Sequence, residues 1–169
     1  KLWTWTGAAF SNISRAAAYT ANGSAWHFTS FGNDVWAVNY VDVPQRRTNN
    51  AGNFADGPTG AFIPRGRFIS PVRTFMVIGA LSNAGRFEDE LAWSTSNDAT
   101  NYNTGGASSA GSVRVYSRPG QITGIVGGEY GRIFKRSSMH ALTYTGGTDI
   151  FQLDEISGRI GTPMPGSIV

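Results

Sequence analysis

The sequence predicts an all-β protein of short antiparallel strands, and three features of its 169 residues carry that prediction. There are 22 glycines and only 15% charged residues. Soluble domains average about 25% charged residues, so the balance favours tight turns between strands over salt-bridged helices. The stretch 121–160 holds two β-compatible runs, 132–136 and 140–144, bracketed by Gly127-Gly128 and Gly146-Gly147. Leu142 and Tyr144 fall on one side of the second run and Ala141 and Thr143 on the other, the period of two that marks a half-buried strand. Glycine-hinged runs of this kind make a meander. Finally, FGNDVWAVNY from Phe31, VRTFMVIGA from Val72 and GEYGRIFKR from Gly128 resemble one another, each giving a turn, a short strand, a loop and another strand. Val35 and Phe75 are 40 residues apart, and Phe75 and Arg132 are 57 apart. Those spacings lie near the length of a propeller blade, and the fold class is read as antiparallel short-stranded sheets, part of a β-propeller-like architecture.

In chain order, Leu2, Thr4 and Thr6 alternate with Trp3 and Trp5, which predicts a strand that turns at Gly7 into a second over 10–13. A helical turn is expected over 16–19 and ends at Asn22-Gly23-Ser24. Strands follow over 26–30 and 35–40, joined through Gly32-Asn33-Asp34, and Pro44 closes the hairpin. Segment 45–65 is rich in Asn, Gly and Pro and reads as a long loop, extending to about 66, of the kind that serves a function or an interface. The unbroken apolar run 74–80 reads as a strand buried on both faces. A loop over 82–89 leads to a strand at 90–94, a second long loop near 95–112, and a strand at 113–116. Gly124-Ile125-Val126-Gly127-Gly128 lacks the lysine and serine of a phosphate-binding loop and reads as a turn. The chain is taken as one β domain over 1–169 and is expected to be a piece of a longer protein.

The absence of cysteine removes disulfides and thiolate metal sites, and no apolar run approaches the ~20 residues of a membrane helix. Net charge is +3, carried mainly by arginines that are scattered from Arg15 to Arg159. Arg132, Lys135 and Arg136 are the nearest candidates for contact with nucleic acid. The carboxylates gather at Glu88-Asp89-Glu90 and Asp154-Glu155, where neighbours on a strand point to opposite faces and make no facing acid–base pair. His27 and His140 stand alone in their strands and read as hydrogen-bonded strand histidines. No catalytic residue, metal site or cofactor site is assigned. Asn12-Ile13-Ser14 and Asn22-Gly23-Ser24 match the glycosylation pattern, which short strings satisfy by chance.

Several segments, taken in order, resemble one family. They are Trp26-His27-Phe28-Thr29-Ser30-Phe31-Gly32-Asn33-Asp34, then 37–45 closing on Asp42-Val43-Pro44-Gln45, and Leu91-Ala92-Trp93-Ser94 with Ser96-Asn97-Asp98-Ala99-Thr100. The last are 125–134, Phe151-Gln152-Leu153-Asp154-Glu155-Ile156, Gly161-Thr162-Pro163 and 165–169. Together they are similar to the packaged-DNA stabilisation, or tail hub, proteins of short-tailed bacteriophages. The resemblance spans most of the chain, although family members are longer and segment 45–65 matches nothing in them. It implies a non-enzymatic structural virion protein of the phage tail, a nozzle-like subunit arranged with copies of itself in a ring. Such a ring docks below the portal and adaptor, continues the DNA channel, helps retain packaged DNA and carries tail fibre, spike or needle proteins.

The aromatic content supports a second expectation, a carbohydrate-binding or sialidase-like propeller module whose tryptophans stack on sugars. Such an enzyme would bring an arginine cluster, an acid and a tyrosine into one pocket.

Overall fold

A computed structural model describes residues 1–21, 25–105 and 108–168. The chain is all-β, with fourteen strands in antiparallel sheets among the described residues. The first two, β1 (Trp3–Trp5) and β2 (Phe10–Asn12), form a hairpin in which Trp5 faces Phe10 and Trp3 faces Asn12. Gly7, at φ +92°, makes its turn. Leu2 and Ile13 point inward and are buried with Ala37 and Phe54.

Three four-stranded meanders follow. The first is β3 (His27–Phe31), β4 (Asp34–Val38), β5 (Gln45–Arg47) and β6 (Ala55–Asp56). The second is β7 (Gly66–Val72), β8 (Phe75–Leu81), β9 (Glu90–Trp93) and β10 (Gly111–Arg114). The third is β11 (Ile122–Val126), β12 (Gly131–Lys135), β13 (Met139–Tyr144) and β14 (Phe151–Ser157). The three similar segments of the sequence sit at one structural position, the first hairpin of each meander. The internal repeat is therefore a repeat of structure.

The opening strands of the meanders lie side by side. Val72 and Gly128 form a parallel bridge, in which Gly128 N donates to Pro71 O at 3.0 Å and Arg73 N donates to Gly128 O at 2.8 Å. Tyr40 N donates to Gly66 O at 2.8 Å and ties the first meander to the second. Blades of a propeller follow one another in this sense, with like strands adjacent. Among the described residues the sheets close neither a barrel nor a full propeller.

The second meander is the middle layer because β8 is buried along its whole length. Its alternation sorts the core into two. Phe75 and Val77 pack towards Ile122, Ile133, Leu142 and Phe151 of the third meander, whereas Met76 and Ile78 pack towards Trp36, Val38 and Tyr102. Each fully buried side chain of this size contributes about 1.5–3 kcal/mol. Gly79 permits a close approach within the core, since a Cβ there would stand 2.5 Å from Ile125 Cδ1 and 2.8 Å from Leu91 Cδ2.

Several expectations change. No helical turn forms over 16–19; the Asp42 carboxylate takes the Thr20 N–H and hydroxyl, and Tyr19 donates to Gln45 Oε1, so this segment is pinned to the first sheet. Segment 45–65 is no simple loop, for β5 and β6 lie in it and complete the first meander. Gln45 is fully buried, with its amide donating to Val43 O and Asp56 Oδ1. Ile122–Val126, part of which reads as a turn in the sequence, is strand β11, and the turn itself begins at Gly127. The expected loop 95–112 yields its last two residues to β10, and the rest is tied down where described: Trp93 Nε1 donates to Ser109 O at 3.0 Å, and Ser96 N to Ser109 Oγ at 3.0 Å. The expected break and glycosylation pattern at Asn22-Gly23-Ser24 lie outside the described residues. No helix among the described residues is long and apolar enough to cross a membrane.

Candidate functional site

The opening strands converge on a groove of about 580 Å³. His27, Phe28 and Thr29 of β3 form one wall, Phe68 to Pro71 of β7 the floor, and Gly124 to Val126 of β11, continuing into Gly127, the other wall. The His27 ring meets Phe68 edge-on at 4.9 Å. Burial, helped by the positive charge of Arg67, holds its imidazole below the ordinary histidine value. Gly127 N donates to Ser70 Oγ at 2.9 Å, so the groove's one serine hydroxyl already serves the backbone. Gly166 and Ile168 close the remaining side. One imidazole over apolar walls gives a recognition surface without an acid–base pair.

The second histidine lies in a buried polar knot of the third meander. His140 Nε2 is 3.1 Å from Ser138 Oγ, and Nδ1 is 3.5 Å from Ser117 Oγ. Burial pushes its pKa down, with Lys135 and Arg118 adding to that and Glu155 opposing it. Glu155 faces His140 across the β13–β14 ladder, but Arg118 Nη2 donates to that carboxylate at 3.2 Å. Imidazole and hydroxyl are thus assembled while the carboxylate is spent on an arginine, which leaves the relay without its third member. Ser138, in the turn that enters β13, and His140 are two residues apart. That spacing was visible in the sequence, whereas Ser117 arrives from a distant loop.

Of the three residues read as nucleic-acid contacts, Lys135 is a correction. It is fully buried, donating from Nζ to Val115 O at 2.7 Å and to Arg118 O, and burial lowers its pKa. The physical reason is the pleat, because Gly131, Ile133 and Lys135 all point to the core side of β12. Arg132 is half-buried beside the Tyr130 ring, with its guanidinium 5.6 Å from the centroid. Arg136 is exposed in the following turn. The trio does not form one patch.

Most other arginines are already engaged. Arg114 is held by both oxygens of Asp89 and lies 3.5 Å from the Phe87 centroid. Arg73 lies over Tyr144, Arg86 over Phe62 and Arg46 over Trp36. Cation–π contacts of this kind occur about once per 70–80 residues, so their density here marks arginine as packing material rather than a free basic surface.

At the seam between the first two meanders, Tyr40 donates its hydroxyl to Glu88 Oε1 at 2.6 Å while Arg67 lies 4.6 Å over its ring. Tyr40 holds φ at +77°, a strained value for a bulky side chain. Burial and the Glu88 contact both raise the phenol's pKa, which opposes formation of a nucleophilic phenolate. Among the described residues no group of three or more His, Asp or Glu side chains is gathered as a metal ion would require.

The outer face of the β1–β2 hairpin is an exposed apolar surface. Trp3, Trp5 and Phe10 keep 55%, 57% and 72% of their surface in solvent, with the Trp5 and Phe10 rings 5.1 Å apart. The sequence gives the signal in its alternation, since Leu2 and Thr4 must face away from Trp3 and Trp5. In comparisons with known proteins, no family matches the chain and no curated protein matches it.

Proposed function

We propose that this chain is an architectural subunit of a larger β assembly, of the tail hub or nozzle kind that the order of its sequence segments resembles. The observation that carries this reading is the succession of three four-stranded meanders with adjacent opening strands, the second and third running parallel where they meet. Its groups with chemical potential support it, because His140, Lys135 and Tyr40 are each bound into the fold. The two ends of the row differ. An aromatic face projects beside the first meander, and β14, largely exposed and bearing Asp154 and Glu155, edges the third. Unlike ends suit head-to-tail contact, which builds rings when the rotation closes. In this reading the copies surround a DNA channel beneath the portal and adaptor, and Arg132 and Arg136 are the remaining candidates to face it. The test is the mass of the purified chain, alone and mixed with portal and adaptor. Assembly or binding is expected, and a monomer that binds neither under any condition defeats the proposal.

A second reading, a sialidase-like module, is favoured by one observation, the gathering of Tyr40, Glu88 and Arg67. Tyrosine nucleophiles serve such enzymes. The raised pKa of Tyr40 weighs against it, and a sialoside hydrolysis assay that returns no turnover removes it.

A further inference from the structure

We propose that segment 161–168 is a strap latched at one end on the β12–β13 turn and at the other beside His27, and that charging His27 in mild acid releases it from the groove between the opening strands.

The geometry begins at Gly161. A Cβ there would stand 2.6 Å from the backbone nitrogens of both Ser137 and Ser138, so the strap lies directly on the β12–β13 turn. Thr162 N donates to Lys135 O at 2.9 Å and fixes this end. Ser138 in that turn is the residue whose hydroxyl lies against His140 Nε2. From there the strap crosses β11. Gly166 N donates to Thr123 O at 3.0 Å, and the Ile168 side chain rests on Gly124, where an added Cβ would stand 2.5 Å from its Cδ1. Gly166 touches His27, since a Cβ on it would lie 3.1 Å from the ring's Cε1 and 3.3 Å from Nε2. Thr162 and Ser167 brace the bend, with their hydroxyls 2.9 Å apart.

Among the described residues two backbone hydrogen bonds and one isoleucine hold the strap to the sheet, and its Gly166 end leans on an imidazole that burial keeps neutral. At His27 the facing charged group is Arg67 of β7, itself directed towards Glu88. At His140 the facing groups are Lys135 of β12, Arg118 of the loop before β11, and Glu155 of β14, already paired with Arg118; Ser117 and Ser138 are its hydrogen-bonding neighbours. A proton on either ring therefore adds positive charge beside a cation in a poorly solvated place. The strap touches His27 alone of the two rings, and His27 freed by opening regains the ordinary value of 6.5, so the closed form is favoured above that pH and loses favour as pH falls below it. The opening equilibrium gains up to about tenfold per pH unit from His27 within its window. Opening exposes the groove floor of Phe68 to Pro71.

The chain has no cysteine, so a single Met164→Cys substitution at an exposed strap position takes a spin label cleanly. Electron paramagnetic resonance on the full chain, from about pH 7.5 to 5, is expected to show an immobile label that becomes mobile below 6.5 while circular dichroism still reports the sheets. His27→Gln, made in the labelled chain, should abolish the transition, and His140→Gln should leave it in place. If His140→Gln fails to fold, His27→Gln alone decides. A label whose mobility ignores pH, a transition unchanged by His27→Gln, or release that coincides with loss of the sheets overturns the proposal.

Discussion

A lysine buried in a sheet keeps its place only while its carbonyl partners stay within reach. Lys135→Met keeps the volume but leaves Val115 O and Arg118 O without their donor. The expected cost is about 1–3 kcal/mol, measured as a drop in urea-unfolding free energy. A variant as stable as the parent would show that the ammonium is not the tie. The alternation in the sequence already put Lys135 on the side of Ile133; its charge argued for the surface, and the carbonyls that retain it come from a loop no local pattern reveals. The histidines set an acid limit at the same scale. Both have folded pKa values lowered by burial, so their contribution to stability is complete above 6.5 and drains away as pH falls below it. Glu155, lowered from 4.5 by the Arg118 hydrogen bond, adds a second loss as pH falls below that value. Denaturation midpoints measured from about pH 8 to 3 should fall in two stages, and His27→Gln with His140→Gln should remove the first. A profile flat down to the carboxylate range would contradict this assignment.

Strand β8 shows why some elements were legible and others were not. Seven buried residues in a row leave no polar face, and an unbroken apolar run of that length has few readings other than a central strand. Ile78→Ala should therefore cost about 2–5 kcal/mol in denaturant titration. Gly79→Ala should cost about 1–3 kcal/mol, because the added methyl group runs into Ile125 and Leu91. A loss under about 0.5 kcal/mol for either, the scale of a surface change, would place β8 outside the core. Strands β5 and β6 are three and two residues long, mostly polar, and stabilised by distant partners such as Asp34 with Arg46. Periodicity cannot declare itself over so few residues, so 45–65 looked like a loop. Strand β11 was obscured by Gly124, which reads as a turn residue and is instead the seat of Ile168.

At the scale of the whole molecule, the repeated hairpins were visible as weak sequence similarity, and their common position in the meanders makes the three sheets one repeated unit. The groove was not visible, because its walls come from strands about 40 and 55 residues apart whose adjacency only the packing of sheets creates. The aromatic hairpin face is the surface on which the proposed assembly depends. Trp3→Ser with Trp5→Ser removes exposed rings whose loss should change folding stability by no more than about 0.5 kcal/mol, yet it should weaken association of copies. The most direct measurement is sedimentation of the purified chain beside this double variant, each alone and with portal and adaptor. The account predicts that the parent associates with itself or binds those partners and that the variant does so less while keeping its sheets; a parent chain that sediments as a monomer in every mixture would contradict it.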